Sequence, residues 1–150
     1  MAAVVLDLVY LKSVRSLTPS QILLIPADAV RRCFADDAAF ARCLATDLAF
    51  AYRMVVKELK NQKLRSGLER LANWLLSHHL ETGGEVRFEL PFEKKVLAAR
   101  LGMAPEVLSR SFAALGPYNV KVKGPIIEIR DLEALRNLAK PTPTIDDPAA

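Results

Sequence analysis

The sequence predicts a mainly α chain with a small β component, an α+β class, and three observations point there. An apolar stripe at helical spacing runs from Asp36 to about Gln62 without a Gly or Pro to interrupt it. Two short apolar-backed segments flank a glycine elbow at Gly102. The run Val120-Lys-Val-Lys123 alternates as a half-covered strand does. At 150 residues the chain can hold one ordinary domain, or two small units that share a helix. Hydrophobic residues make up 51% of it, enough for a real core. No uninterrupted apolar run reaches the roughly 18 residues of a membrane span. The start, Met1-Ala-Ala-Val-Val-Leu-Asp7, lacks the basic opening and cleavage site of a signal peptide. Cys33 and Cys43 lack CxxC spacing and cannot make a disulfide framework, so a cytoplasmic chain is expected.

Residues 1–35 read as short extended pieces at 2–6, 11–17 and 21–25, broken at Thr18-Pro19-Ser20 and stopped at Pro26. The continuous apolar run Ile22-Leu-Leu-Ile25 suits a strand covered on both faces. Three such strands do not form a stable domain unaided, so this zone is expected to be the end of something larger. Residues 36–65 follow as a long helix and hinge. Asp36 or Asp37 can cap the start, and Phe40, Leu44, Leu48, Tyr52, Val55 and Leu59 fall in steps of three and four on one face. A helix of about 40 Å with so narrow a stripe usually packs on a partner helix. The six residues are therefore expected to form a dimerisation seam, with packing inside the same chain as the plainer alternative.

The spacing Ser66-x-x-Glu69 is a capping box that starts a second helix over 67–80 and marks a hinge near Lys63–Ser66. Leu71, Trp74, Leu75 and Leu76 supply its apolar face. Gly83-Gly84 ends it ahead of a short strand at 86–90. In 92–115, Val96, Leu97 and Leu101 mark the inner face of one helix, and Gly102 supplies the turn. Pro105 fits the first position of the next helix, where its missing N–H costs nothing. Val107, Leu108, Phe112 and Leu115 face inward on that helix. This is the pattern of a helix-turn-helix. Residues 120–129 follow as a hairpin turning at Gly124-Pro125, a wing. Asp131 caps a closing helix, and the Pro-rich, acidic stretch 141–150 is expected to be disordered. The winged unit thus spans 66–140.

Glu106, Ser109 and Arg110 stand at i, i+3 and i+4 on the outward side of the first two turns after Pro105. In this motif those turns enter the DNA major groove. A guanidinium can donate twice to guanine, a carboxylate can accept a base amino group, and a hydroxyl can bond either way. A plainer role for Glu106 is to favour the helix N-terminus and pair with Arg110. Lys121 and Lys123 alternate with valines, which puts both ammonium groups on one side, suited to phosphates. From Pro91 to Lys140 nine Lys/Arg face five acids, which accounts for the whole chain's surplus of +4. Such a local positive field suits a polyanion. His78 and His79 are adjacent, point to different helical faces and cannot ligate one metal as an i, i+4 pair would. With no nucleophile–base set and no Gly-rich phosphate loop, neither an enzyme nor a metal site is expected.

These residues carry a resemblance. Leu101-Gly-Met103, Glu106-Val-Leu-Ser-Arg110 and Ile129-Arg-Asp-Leu-Glu-Ala-Leu135 are similar to the CRP/FNR superfamily of bacterial transcription regulators, and the likeness runs along nearly the whole chain. It implies the end of a sensor β-barrel in 1–35, closing with Leu24-Ile25-Pro26, then the dimerisation helix and the winged reader. The Glu-x-x-Ser-Arg pattern resembles the FNR-type reader of TTGA-like half-sites in an inverted repeat, so Glu106, Ser109 and Arg110 are implied to read bases. The Leu115–Gly124 wing is similar to that of regulators associated with nitrogen oxides and denitrification. RNA polymerase is the further partner that the likeness implies.

The departures from the family are equally specific. The first barrel strands, which hold most of the sensor site, are expected to be missing. Tyr10-Leu11 stands near the place where cyclic-nucleotide members carry an Arg-Ser pair, and the N-terminal cysteine cluster of iron–sulfur members is absent. No cofactor is therefore expected in this chain; a sensor ligand such as haem would belong to a full-length relative. Ala104 replaces the usual Ser or Thr cap, a loss of about 1 kcal/mol. Asn119 takes a place where Gly is frequent, which its tolerance of positive φ permits. Two functions fit: a homodimeric sequence-specific regulator, or a truncated module whose long helix captures a full-length relative and alters its DNA binding.

Overall fold

The computed structural model describes residues 2–11 and 13–147. The chain divides into two compact units, Met1–Val55 and Val56–Ala150. Among the described residues no helix is long and apolar enough to cross a membrane.

In the first unit the expected strands do not form. Residues Ala2–Val5 are a short helix (α1), and the described residues among 8–11 and 13–26 have no regular structure apart from bends. Position 12, inside one of the expected pieces, lies outside the described residues. The physical reason is pairing: a strand exists only against a neighbour that takes its backbone hydrogen bonds. Here Leu11, Val14, Ile22, Leu23 and Leu24 are exposed. A helix the sequence reading missed, α2 (Ala27–Asp36), follows Pro26. Its Ala27, Val30 and Phe34 recur at helical spacing, and Val30 is buried. Arg31 of α2 donates to the Val4 carbonyl at 3.1 Å and to Asp7 at 2.8 Å, and also pairs with Asp28.

Asp37 alone separates α2 from the long helix α3 (Ala38–Leu64). Its carboxylate accepts the N–H groups of Ala39 and Phe40 at 2.8 and 3.0 Å, the cap expected at this point. The apolar stripe of α3 has two parts. Leu44 is buried, and Phe40 and Leu48 are half-buried, within this chain; Tyr52, Val55 and Leu59 are exposed.

In the second unit Ser66 caps α4 (Gly67–Glu81) through the expected box. A short strand β1 (Arg87–Glu89), helices α5 (Lys94–Arg100) and α6 (Pro105–Ala114), and a 3-10 turn at Gly116–Tyr118 follow. Strands β2 (Val120–Lys123) and β3 (Ile126–Ile129) and helix α7 (Leu132–Ala139) complete the winged unit. Among the described residues the sheet order is β1-β3-β2, all antiparallel. Leu71, Leu75, Leu97, Leu108, Leu115, Ile127 and Leu135 are fully buried and join α4, α5, α6, β3 and α7 in one core. Burying each such side chain contributes roughly 1.5–3 kcal/mol. Asn73 of α4 ties α7 down by donating to the Ala139 carbonyl at 2.6 Å. His78 stacks on Trp74 with ring centroids 5.0 Å apart, and His79 bonds the Glu85 carbonyl at 2.9 Å.

The disorder expected over 141–150 is corrected for residues 141–147. Residues Pro143–Asp146 form a helical turn, α8, because Asp146 pairs with Arg65 and accepts the Thr142 N–H. Residues 148–150 lie outside the described residues.

Candidate nucleic-acid interface

The α5–α6 corner is built from backbone chemistry. Gly102 turns the chain at φ +60°, a conformation that costs an L side chain roughly 1–2 kcal/mol. Its N–H and that of Met103 close α5 on the carbonyls of Ala99 and Ala98, at 3.1 and 3.0 Å. Ala104 stands at the cap of α6 with no side-chain bond to give, and Pro105 opens the helix. Inward, α6 buries Leu108, Ser111 and Phe112. Arg70 of α4 donates Nε to the Leu101 carbonyl at 2.9 Å and so holds the corner against α4.

That anchoring leaves the other face of α6 open. Glu106, Ser109 and Arg110 are all exposed on it. Among the described residues no ion pair joins Glu106 to Arg110, although they stand at i, i+4. Beside this face, Lys94 Nζ lies 5.1 Å from the centre of the Phe112 ring, a cation held by an aromatic quadrupole. Glu93 pairs with Lys95 at 2.7 Å.

The wing follows the 3-10 turn. Asn119 takes φ +58°, as its place in the sequence suggested, and its carbonyl accepts the Arg130 N–H at 3.0 Å. Lys121 and Lys123 are both exposed on β2, and Gly124 makes the hairpin turn at φ +61°. Register assigns the remaining charges. Arg87 of β1 and Lys121 of β2 flank Glu128 of β3 in one cross-strand row, while Phe88, Ile127 and Val122 fill the next row toward the core. Arg130 Nε donates to Glu128 at 2.6 Å. This bond, with the charges of Arg130, Lys121 and Arg87, holds the Glu128 carboxyl below its ordinary range. The sequence reading missed Arg87 and Glu128. The alternation Arg87-Phe88-Glu89 could have marked the outward face, but only pairing shows which strand lies beside which.

Residues 69–138 match the family described as the Crp-like helix-turn-helix domain. Over that segment, just under half of its length, the chain is similar to a Crp-like helix-turn-helix domain. No curated protein matches the chain. Among solved structures, a candidate cAMP-binding regulatory protein from Silicibacter pomeroyi is 32% identical, with a TM-score of 0.55 over 78% of this chain and 51% of that one. A candidate Crp/Fnr-family transcriptional regulator from Eubacterium rectale is 21% identical, with a TM-score of 0.65 over 79% and 54%. FixK2 from Bradyrhizobium japonicum is also 21% identical, with a TM-score of 0.61 over 79% and 61%. The last two likenesses concern the fold alone. The chain spans about half to three-fifths of the length of these proteins. The matched residues include the exposed α6 face and both wing lysines, whereas the apolar stripe of α3 lies outside them.

Proposed function

We propose that this protein is a sequence-specific DNA-binding transcriptional regulator that works as a homodimer on an inverted repeat of TTGA-like half-sites. The observation that carries the reading is the open face of α6: a carboxylate, a hydroxyl and a guanidinium exposed together on a helix whose opposite side is core. A polar face without side-chain partners keeps its full donor and acceptor capacity for base edges.

Arg110 donates two bonds to a guanine, Glu106 accepts from a base amino group, and Ser109 adjusts to either sense. Each good contact contributes about 1–3 kcal/mol of discrimination. Lys121 and Lys123 neutralise phosphates and fix the register of the head on the duplex without reading sequence. Pairing of α3 with a second copy through Tyr52, Val55 and Leu59 sets two reading helices about 34 Å apart, one helical turn of DNA. The similarity of the wing to regulators of nitrogen-oxide metabolism supports a redox or nitrogen-oxide response for the pathway it controls.

Selection of bound duplexes from a random DNA pool tests the proposal in one step. An enriched inverted repeat with half-sites one turn apart is the expected result. Enrichment of a single half-site would overturn the homodimer, and no enrichment at all would overturn sequence reading.

A further inference from the structure

Residues 141–147 dock on the junction between α3 and α4. Arg65 lies buried in that junction and meets Asp146 with two prongs, Nη1 to Oδ1 at 2.7 Å and Nη2 to Oδ2 at 2.5 Å. Asn61 accepts the same Nη1 at 3.2 Å, and the Thr142 N–H donates to Asp146 Oδ2 at 2.5 Å. Two turns back on α3, Lys57 is also buried and donates to the Asp147 carbonyl at 2.5 Å. A forked guanidinium–carboxylate pair fixes geometry as well as charge. Away from water, it also leaves each partner dependent on the other.

The same junction touches the α5–α6 corner. Arg70 donates Nη1 to the Arg65 carbonyl at 2.8 Å and Nε to the Leu101 carbonyl at 2.9 Å. Gln62 lies against the elbow so closely that a Cβ on Gly102 would meet its Nε2 at 3.1 Å. Arg65 therefore holds the Asp146 carboxylate with its side chain, and with its carbonyl the arginine that grips the turn.

We propose that residues 141–147 are a strap that sets the position of the reading corner through Asp146, Arg65 and Arg70. Arg65 and Asp146 are positioning residues for the face bearing Glu106, Ser109 and Arg110. The coupling is a property of the fold; only its effect on binding rests on the DNA-reading proposal. A loosened strap leaves α6 folded but widens its range of orientation. That penalises base contacts, which need close register, more than phosphate contacts, which do not.

The test uses the full chain with Asp146→Asn, which removes the charge at constant volume. Lys57→Met loosens the same strap without stranding a buried partner, and it decides the matter should Asp146→Asn lose its fold. Backbone hydrogen exchange at Gly102 and Met103 reads the corner, with the β3 amides as internal reference. Exchange at the corner is expected to quicken on the order of tenfold while β3 holds. Corner exchange that stays at the wild-type rate, while the amides of Ile145 and Asp146 become free, would overturn the relay.

On DNA, the affinity ratio of selected over scrambled duplex is expected to fall about tenfold. An unchanged ratio with a loosened corner would overturn the positioning role. A wild-type chain that selects no sequence would instead sink the proposed function and leave the exchange result standing.

Discussion

The carboxylate of Glu69 accepts the backbone N–H of Ser66 at 2.8 Å, and the hydroxyl of Ser66 accepts that of Glu69 at 3.2 Å. This reciprocal cap starts α4, the helix on which α6 and α7 pack. The bond from the Ser66 N–H, then that from its hydroxyl, holds the Glu69 carboxyl below its ordinary range, with a smaller contribution from Lys140. A carboxyl depressed in the folded state contributes stability above its unfolded value and loses it as pH falls through the folded one. Acid denaturation of wild type and Glu69→Gln should therefore differ at neutral pH and converge in strong acid; a constant gap would refute the role of the charge. Ser66→Ala should cost about 0.5–2 kcal/mol in urea denaturation.

Gly102→Ala should destabilise the corner by roughly 1–2 kcal/mol from its positive φ alone. The added contact with Gln62 is with a flexible side chain, so Gln62→Ala in the same chain should recover only a small part. Full recovery in urea denaturation would show crowding, not φ, to be the cause.

Arg110→Ala should lower discrimination at one guanine by about 1–3 kcal/mol and leave overall stability unchanged, because the side chain is exposed and supports no core. Competition titrations on cognate and single-base variant duplexes measure it. A preserved preference at every position would remove Arg110 from the reader.

Lys121→Ala and Lys123→Ala should weaken binding to all sequences alike. Each lost phosphate contact should flatten the slope of log affinity against log salt by about 0.9. Fluorescence titrations across a salt series give that slope, and one equal to wild type would place these lysines off the DNA. Since Glu128 faces Lys121 across the strands, Glu128→Gln should strengthen binding modestly.

Val55→Glu puts a charge on the exposed part of the α3 stripe, where its own chain loses little. Sedimentation should then show monomers. A persisting dimer would move the seam elsewhere.

Where the backbone itself carries the signal, the sequence suffices. Ser66-x-x-Glu69 states a helix start, Gly102 and Pro105 state a turn and a restart, and Val120–Lys123 with Gly124 states a hairpin. Each is a local demand on φ, capping or side-chain alternation, satisfied within a few residues, which is why the α5–α6 corner and its exposed trio were legible. Pairing over distance decided the rest. Nothing near Ile22–Ile25 tells whether a neighbouring strand exists, and among the described residues none pairs with it. The stripe on α3 shows one face but not that Leu44 is covered and Val55 open. Asp146 reads as tail until Arg65, distant in sequence, supplies a buried charge for it. Local propensities act through neighbours in the chain, whereas ion pairs, strand order and coverage depend on groups that only folding brings within a few ångströms.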